Sequence, residues 1–118
     1  MSESFNPRER IRKKKDFLFL YRKGNRYKGK YFSLIYLPSS STFSRVGVVA
    51  SRKVGNAATR NKVKRWMREL FRRNKGLLDF PLDMLIIARP EMGEVKWEEL
   101  KEQYLTAVER IFKKKKER

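Results

Sequence analysis

Asn61, Lys64, Arg65, Arg68, Arg72 and Lys75 recur at the spacing of one helix face. Guanidinium groups offer a planar fork of donors that matches phosphate, and Lys adds a point charge. The chemistry such a row serves is the holding of a polyanion. Residues 60–75 carry eight basic residues and one acid, Glu69. A solvated helix mixes signs so that i,i+4 pairs offset repulsion. This one stacks like charges at a cost in stability, over about 20 Å of helix at 1.5 Å per residue. The preceding loop adds Arg52, Lys53, Gly55 and Asn56, where the glycine permits close approach of a ligand or serves a plain turn.

Covalent catalysis has little to work with. The 118 residues include no His and no Cys, which removes the commonest general base, the commonest metal ligand and every thiol. Asp16, Asp79, Asp83 and Glu91 are scattered, and caps or solvated turns account for them. Net charge is +18, and residues 1–78 hold 22 basic against 4 acidic residues, while residues 79–118 hold nine of each. The excess is therefore a surface rather than a uniform solubility device. Phe17, Phe19, Tyr21, Tyr27, Tyr31, Phe32 and Tyr36 crowd the same basic region, as aromatics do where unpaired bases are stacked, although at least half should be core. Apolar runs stop at five residues, too short for a span or a signal-peptide core. A soluble, unexported, cytoplasmic protein is expected.

The elements that must position these side chains follow from periodicity. Val63, Trp66, Met67, Leu70 and Phe71 form an apolar stripe opposite the cations, with Gly76 as C-cap. Residues 14–23 predict a short helix stopped at Gly24 in left-handed geometry. Residues 26–37 predict strand broken near Gly29, residues 38–42 a turn, and residues 44–52 and 83–88 buried strands. Trp97, Leu100, Tyr104, Val108, Ile111 and Phe112 predict a helix over about 97–113. Tyr31, Ser33 and Ile35 share one strand face and Phe32, Leu34 and Tyr36 the other; one must be core, and the pattern does not choose. The expected organisation is a single RNA-binding domain over 1–118. It includes a basic extended N-terminus (1–13) and a frayed basic tail (113–118). The class is an α+β sandwich, a mostly antiparallel sheet covered by helices.

The segment SRKVGNAATRNKVKRWMRELFR (Ser51–Arg72) resembles the RNR signature of the protein subunit of bacterial ribonuclease P. Arg10-Ile11-Arg12, Asp16-Phe17 with Tyr21 and Gly24, Arg45-Val46-Gly47 and Ile86–Arg89 fall in the matching order. The resemblance implies an αβββαβα fold, like the second domain of a small-subunit ribosomal protein. It also implies a left-handed β-α-β crossover, against the general handedness rule. The implied function is that of accessory subunit to a catalytic RNA, which hydrolyses one phosphodiester bond and removes the 5′ leader of precursor tRNA. Mg²⁺ is bound mainly by the RNA subunit, and no metal or catalytic residue is expected on the protein. Carried over by position, Arg52, Lys53, Asn56, Arg60, Asn61, Lys64, Arg65 and Arg68 face the catalytic RNA. Phe17, Tyr21, Ser51, Arg52 and Arg89 line or rim the leader cleft. The partners implied are the catalytic RNA and precursor tRNA. Sulfate or phosphate is expected on the free protein, because Arg8–Lys15 and Arg52–Arg68 should repel one another. A structural ribosomal or general RNA-binding protein fits the same charge, a stand-alone nuclease would need activity without RNA, and a membrane-surface helix would forfeit the core.

Overall fold

The computed structural model describes residues 7–116; residues 1–6 of the expected extended N-terminus and 117–118 of the expected tail lie outside the described residues. Helix α1 spans Lys14–Lys23, strands β1 and β2 Asn25–Lys28 and Phe32–Pro38, and strand β3 Arg45–Val49. Helix α2 spans Ala57–Arg73, strand β4 Leu82–Ala88 and helix α3 Trp97–Lys116. Short 3-10 turns at Pro7–Glu9, Arg52–Val54, Lys75–Leu77 and Pro90–Glu94 fill the connections. The order is the expected αβββαβα.

One sheet runs β1-β2-β4-β3. The pairs β1–β2 and β2–β4 are antiparallel, and β3–β4 is parallel. Two parallel neighbours need a crossover, and α2 supplies it. β4 sits between two partners and is buried on both faces, which explains its unbroken apolar run.

Both sheet faces prove to be core, so the choice posed by alternation was a false one. Phe32, Leu34, Val46, Met84 and Ile86 pack under α2 and α3. Ile35 and Leu85 face the other way, against Leu20 of α1 and Ile11. The aromatic residues of the hairpin all join the larger core: Tyr31 and Phe32 are buried in it, and Tyr27 and Tyr36 pack on it. The Tyr31 hydroxyl also donates to Glu99 of α3.

Helix α1 is fixed to its face by two devices. Arg45 makes a bidentate pair with its cross-strand partner Asp83, at 3.0 and 2.7 Å, and reaches Asp16 of α1 at 3.5 Å. At the next residue the Phe17 ring lies on Gly47, where a Cβ would stand 2.8 Å from Leu85 Cδ2 and 2.9 Å from Phe17 Cζ. The N-terminal segment closes the free edge of β3. Ile11 N–H donates to the Val46 carbonyl at 2.9 Å, Arg10 bridges Val46, and buried Glu9 pairs with Lys75 at 3.0 Å. A strand edge left open invites pairing with another chain.

Two expected helix stops are corrected. Gly24 ends α1 with φ −72° and ψ 153°, an extended conformation and not a left-handed one. The glycine is needed for closeness, since a Cβ there would stand 2.5 Å from Ile35 Cγ2. Gly76 does not cap α2. Asn74 does, its side-chain amide donating to the Leu70 carbonyl at 2.8 Å, and Gly76 falls in the following 3-10 turn. Helix α3 runs to Lys116, three residues beyond the predicted end. Among the described residues, no helix is long and apolar enough to cross a membrane.

Gly47→Ala should lower unfolding free energy by about 1–3 kcal/mol, the usual cost of overpacking a filled site. Gly76→Ala, with nothing within 4 Å and no positive φ, should be neutral or stabilising by about 0.5 kcal/mol. Urea denaturation of both variants checks this; equal effects would show that Leu85 and Phe17 do not fill the space above Gly47.

Candidate nucleic-acid interface

The sheet buries Val63, Met67, Leu70 and Phe71 of α2. Trp66, expected in the core, is only half-buried. It meets Trp97 of α3 edge-on at 5.5 Å, with the Lys62 ammonium 5.0 Å above its ring. It closes the rim of the core rather than filling it.

Burial of that stripe turns the cations outward, but they do not form one uniform row. At the C-terminal end, Glu69 accepts from Arg72 and Arg73, and Glu9 takes Lys75. Arg72 and Lys75, both placed on the binding stripe by their spacing, are therefore committed within the fold. The partner of Arg72 lies one turn away and was readable locally, whereas that of Lys75 was not, since Glu9 is 66 residues distant. The hydrogen bond from Arg72, then that from Arg73, pulls the Glu69 pKa down to about 2 against the usual 4.5.

The N-terminal half of α2 is different. Arg60, Asn61, Lys64, Arg65 and Arg68 lie within about 140° of one another at 100° per residue. None is in an ion pair with a described residue. No acid occupies the first turn, so the helix dipole adds to the positive field there. Arg60 Nε is buried with no hydrogen-bond partner among the described residues, a donor left over by the fold. Burial, then the nearby Arg10 guanidinium, lowers the Arg68 pKa. Arg10 therefore joins this face. The N-terminal basic run was legible in the sequence, but its docking beside α2 was not.

The turn before α2 presents Arg52 and Lys53 in the open. Gly55, at φ +153°, occupies a conformation that favours glycine, which settles its role as backbone geometry. Two expected contact residues also hold the backbone: Asn56 Oδ1 caps α2 by accepting from Thr59 N–H at 2.9 Å, and Ser51 Oγ accepts from Lys53 N–H at 3.3 Å.

The second cluster lies on the α1 face of the sheet. Phe17 is half-buried over Gly47. Beyond it, Ser33, Ile87 and Val49 stand in register across β2, β4 and β3, and all three are partly open. They form a floor that α1 leaves uncovered, and sequence reasoning missed them; period-two alternation from Ile35 and Gly47 was the available signal. Continuing the register places Ser51 and Arg89 side by side at the rim. Both are exposed, and among the described residues the Arg89 guanidinium has one ion-pair contact, a long 3.8 Å one with Glu91. Tyr21 is 54% exposed in the last turn of α1. The Arg26 guanidinium lies 4.8 Å over its ring while donating to the Tyr21 carbonyl at 2.6 Å. The structure thus joins Phe17 to the floor and rim, and sets Tyr21 beside β1. Among the described residues, no three His, Cys, Asp or Glu side chains gather where they could hold a metal ion.

Comparison with known proteins matches a family model described as Ribonuclease P over residues 5–112. The ribonuclease P protein component of Thermotoga maritima is 39% identical over 115 residues, 94% of this chain and 98% of the relative. That of Petrotoga mobilis is 33% identical over 113 residues, 92% and 96% of the two chains. Among solved structures, the RNase P protein from Thermotoga maritima superposes with a TM-score of 0.78 at 36% identity, over 86% of this chain and 96% of the other. The Staphylococcus aureus RNase P protein gives 0.81 at 28% identity, over 87% and 94%.

A carboxylate whose folded pKa is depressed contributes stability above its unfolded pKa and loses it as pH falls toward the folded value. Glu69→Gln should therefore cost about 1 kcal/mol at pH 6 and much less near pH 2. Its stability should depend less steeply on pH between about 4.5 and 2. Urea titrations across that range check it, and parallel pH curves for variant and parent would contradict it.

Proposed function

The chain belongs to the ribonuclease P protein component family, the accessory subunit of an endoribonuclease that matures the 5′ end of tRNA, and from that premise we propose how its two clusters divide the work. The N-terminal half of α2 and the turn before it (Arg52, Lys53, Asn56, Arg60, Asn61, Lys64, Arg65 and Arg68) bind the catalytic RNA subunit. The α1 side of the sheet, with Phe17, Tyr21, Ser51, Arg52 and Arg89, holds the single-stranded leader of precursor tRNA.

The observation that carries this reading is the set of α2 cations without acidic partners, oriented by the buried stripe behind them. Guanidinium groups so placed match the phosphates of a structured RNA, and the fixed helix sets their direction of approach. Sulfate or phosphate would take the same positions on the RNA-free protein. The leader site works differently. Its floor is small and mostly apolar, with Ser33 its one hydroxyl, its wall is aromatic, and its cations stand at the rim, which suits unpaired bases with their backbone outermost. The carboxylates of this chain do not fit a Mg²⁺ site, since no cluster of them forms among the described residues. Metal and bond cleavage belong to the RNA subunit; the protein binds and orients.

Reconstitution with a bacterial catalytic RNA at low Mg²⁺ tests the division. The protein should raise precursor-tRNA cleavage. Arg65→Ala should weaken binding to the RNA subunit and reduce its salt slope by about one contact. Tyr21→Ala is the cleaner leader variant, since Phe17→Ala also removes packing. It should spare RNA-subunit binding but lower affinity for precursor over mature tRNA by about tenfold, within the range of one stacked base. No stimulation of cleavage would refute the reading, and an Arg65→Ala defect confined to precursor tRNA would refute the division of labour.

A further inference from the structure

Helix α1 has a second side that neither cluster uses. At 100° per residue, Lys15, Leu18, Phe19, Arg22 and Lys23 fall on the face opposite buried Leu20 and half-buried Phe17. Phe19 is 59% exposed and Leu18 43%, and with Tyr21 they make three of the four exposed large hydrophobic residues among those described. Scattered singly, exposed apolar residues need no explanation; here three share one ten-residue helix. Lys15, Leu18, Phe19, Arg22 and Lys23 line a shallow depression of about 280 Å³. The single acid of the helix, Asp16, faces the sheet and pairs with Arg45. Nothing negative offsets the stripe from within its own helix.

We propose that this outer stripe of α1 is a second binding surface for unpaired RNA, in which Phe19 stacks on a base and Lys15 and Arg22 take the flanking phosphates. The inference rests on the RNA-binding reading above and extends it to a site separate from the leader floor. Lys15 and Arg22 lie about 10 Å apart along the helix, on either side of the ring. A duplex keeps its bases stacked inside and presents no free face to Phe19, so the stripe selects single strands. Charge complementarity favours RNA over a second copy of the chain, since two copies at +18 each repel. Two apolar side chains give a membrane little to bury, whereas interfacial helices bury a whole face.

Fluorescence anisotropy of the full chain with labelled decauridylate and with a ten-base-pair RNA duplex tests the surface. In a Tyr21→Ala background, where the leader site is weakened, Phe19→Ala should lower decauridylate affinity by about tenfold, leave duplex binding within about twofold, and leave the melting temperature nearly unchanged because the ring is exposed. Phe19→Trp should restore the affinity. In the parent, where the leader site still holds the strand, the loss should be smaller and the number of decauridylates bound per chain should fall. Unchanged decauridylate affinity on adding Phe19→Ala to Tyr21→Ala, or an equal loss on both RNAs, overturns the proposal. So does a Phe19-dependent dimer or Phe19-dependent binding to anionic phosphatidylserine vesicles without an effect on decauridylate. If Phe19→Ala is silent while Arg65→Ala still weakens the RNA subunit, only this inference falls.

Discussion

Burial of Val63, Met67, Leu70 and Phe71 against the sheet decides where every cation of α2 points. A helix is rigid, so fixing one stripe fixes the opposite one without any contact to it. Four apolar side chains at about 1.5–3 kcal/mol each outweigh the repulsion among neighbouring surface charges, which is screened by water and salt. The binding face is thus held by its back, and its front need satisfy nothing within the protein. That separation lets a small domain carry +18 and still fold.

The acids are placed so as to leave that front alone. Glu69 and Glu9 take up Arg72, Arg73 and Lys75 at the C-terminal end of α2, while Glu9 at the same time ties down the N-terminal segment. That segment brings Arg10 beside Arg68 and closes the edge of β3. On the other face, the Arg45–Asp83–Asp16 cluster and the contact of Phe17 with Gly47 set α1 across two rows of the sheet and leave a third row open. The outer side of the same helix leaves Phe19 and Leu18 facing solvent. The protein therefore carries unpaired α2 cations on one side and exposed rings on the other, the arrangement on which the proposed division between folded RNA and single strand rests.

Much of this was legible in the residues. The 3.6 period of α2, the unbroken run of β4 and the stripe of α3 named their elements, because burial imposes those periods directly. The RNR segment singles out Arg60–Arg68 through its resemblance alone. What escaped were relations across the chain. Lys75 looked available because Glu9 is far away in sequence. Gly24 looked like a left-handed cap because Ile35, which forbids a side chain there, belongs to another strand. Gly76 drew the eye from Asn74, which caps through its side chain. Alternation in Tyr31–Tyr36 posed a choice of one face, whereas α1 covers one and α2 with α3 the other. Ser33, Ile87 and Val49 carry no chemical signature, and only strand register makes them neighbours.

The central claim is that the outward face of α2 meets the catalytic RNA while the α1 side of the sheet meets the leader. The chain has no cysteine, so a single Asn61→Cys can carry an iron chelate that generates hydroxyl radicals beside its attachment point. In the complex with catalytic RNA and precursor tRNA, cleavage from position 61 should fall in the catalytic RNA and spare the leader. Cuts confined to the leader, or no cuts in the catalytic RNA from a complex that still forms, would contradict the account.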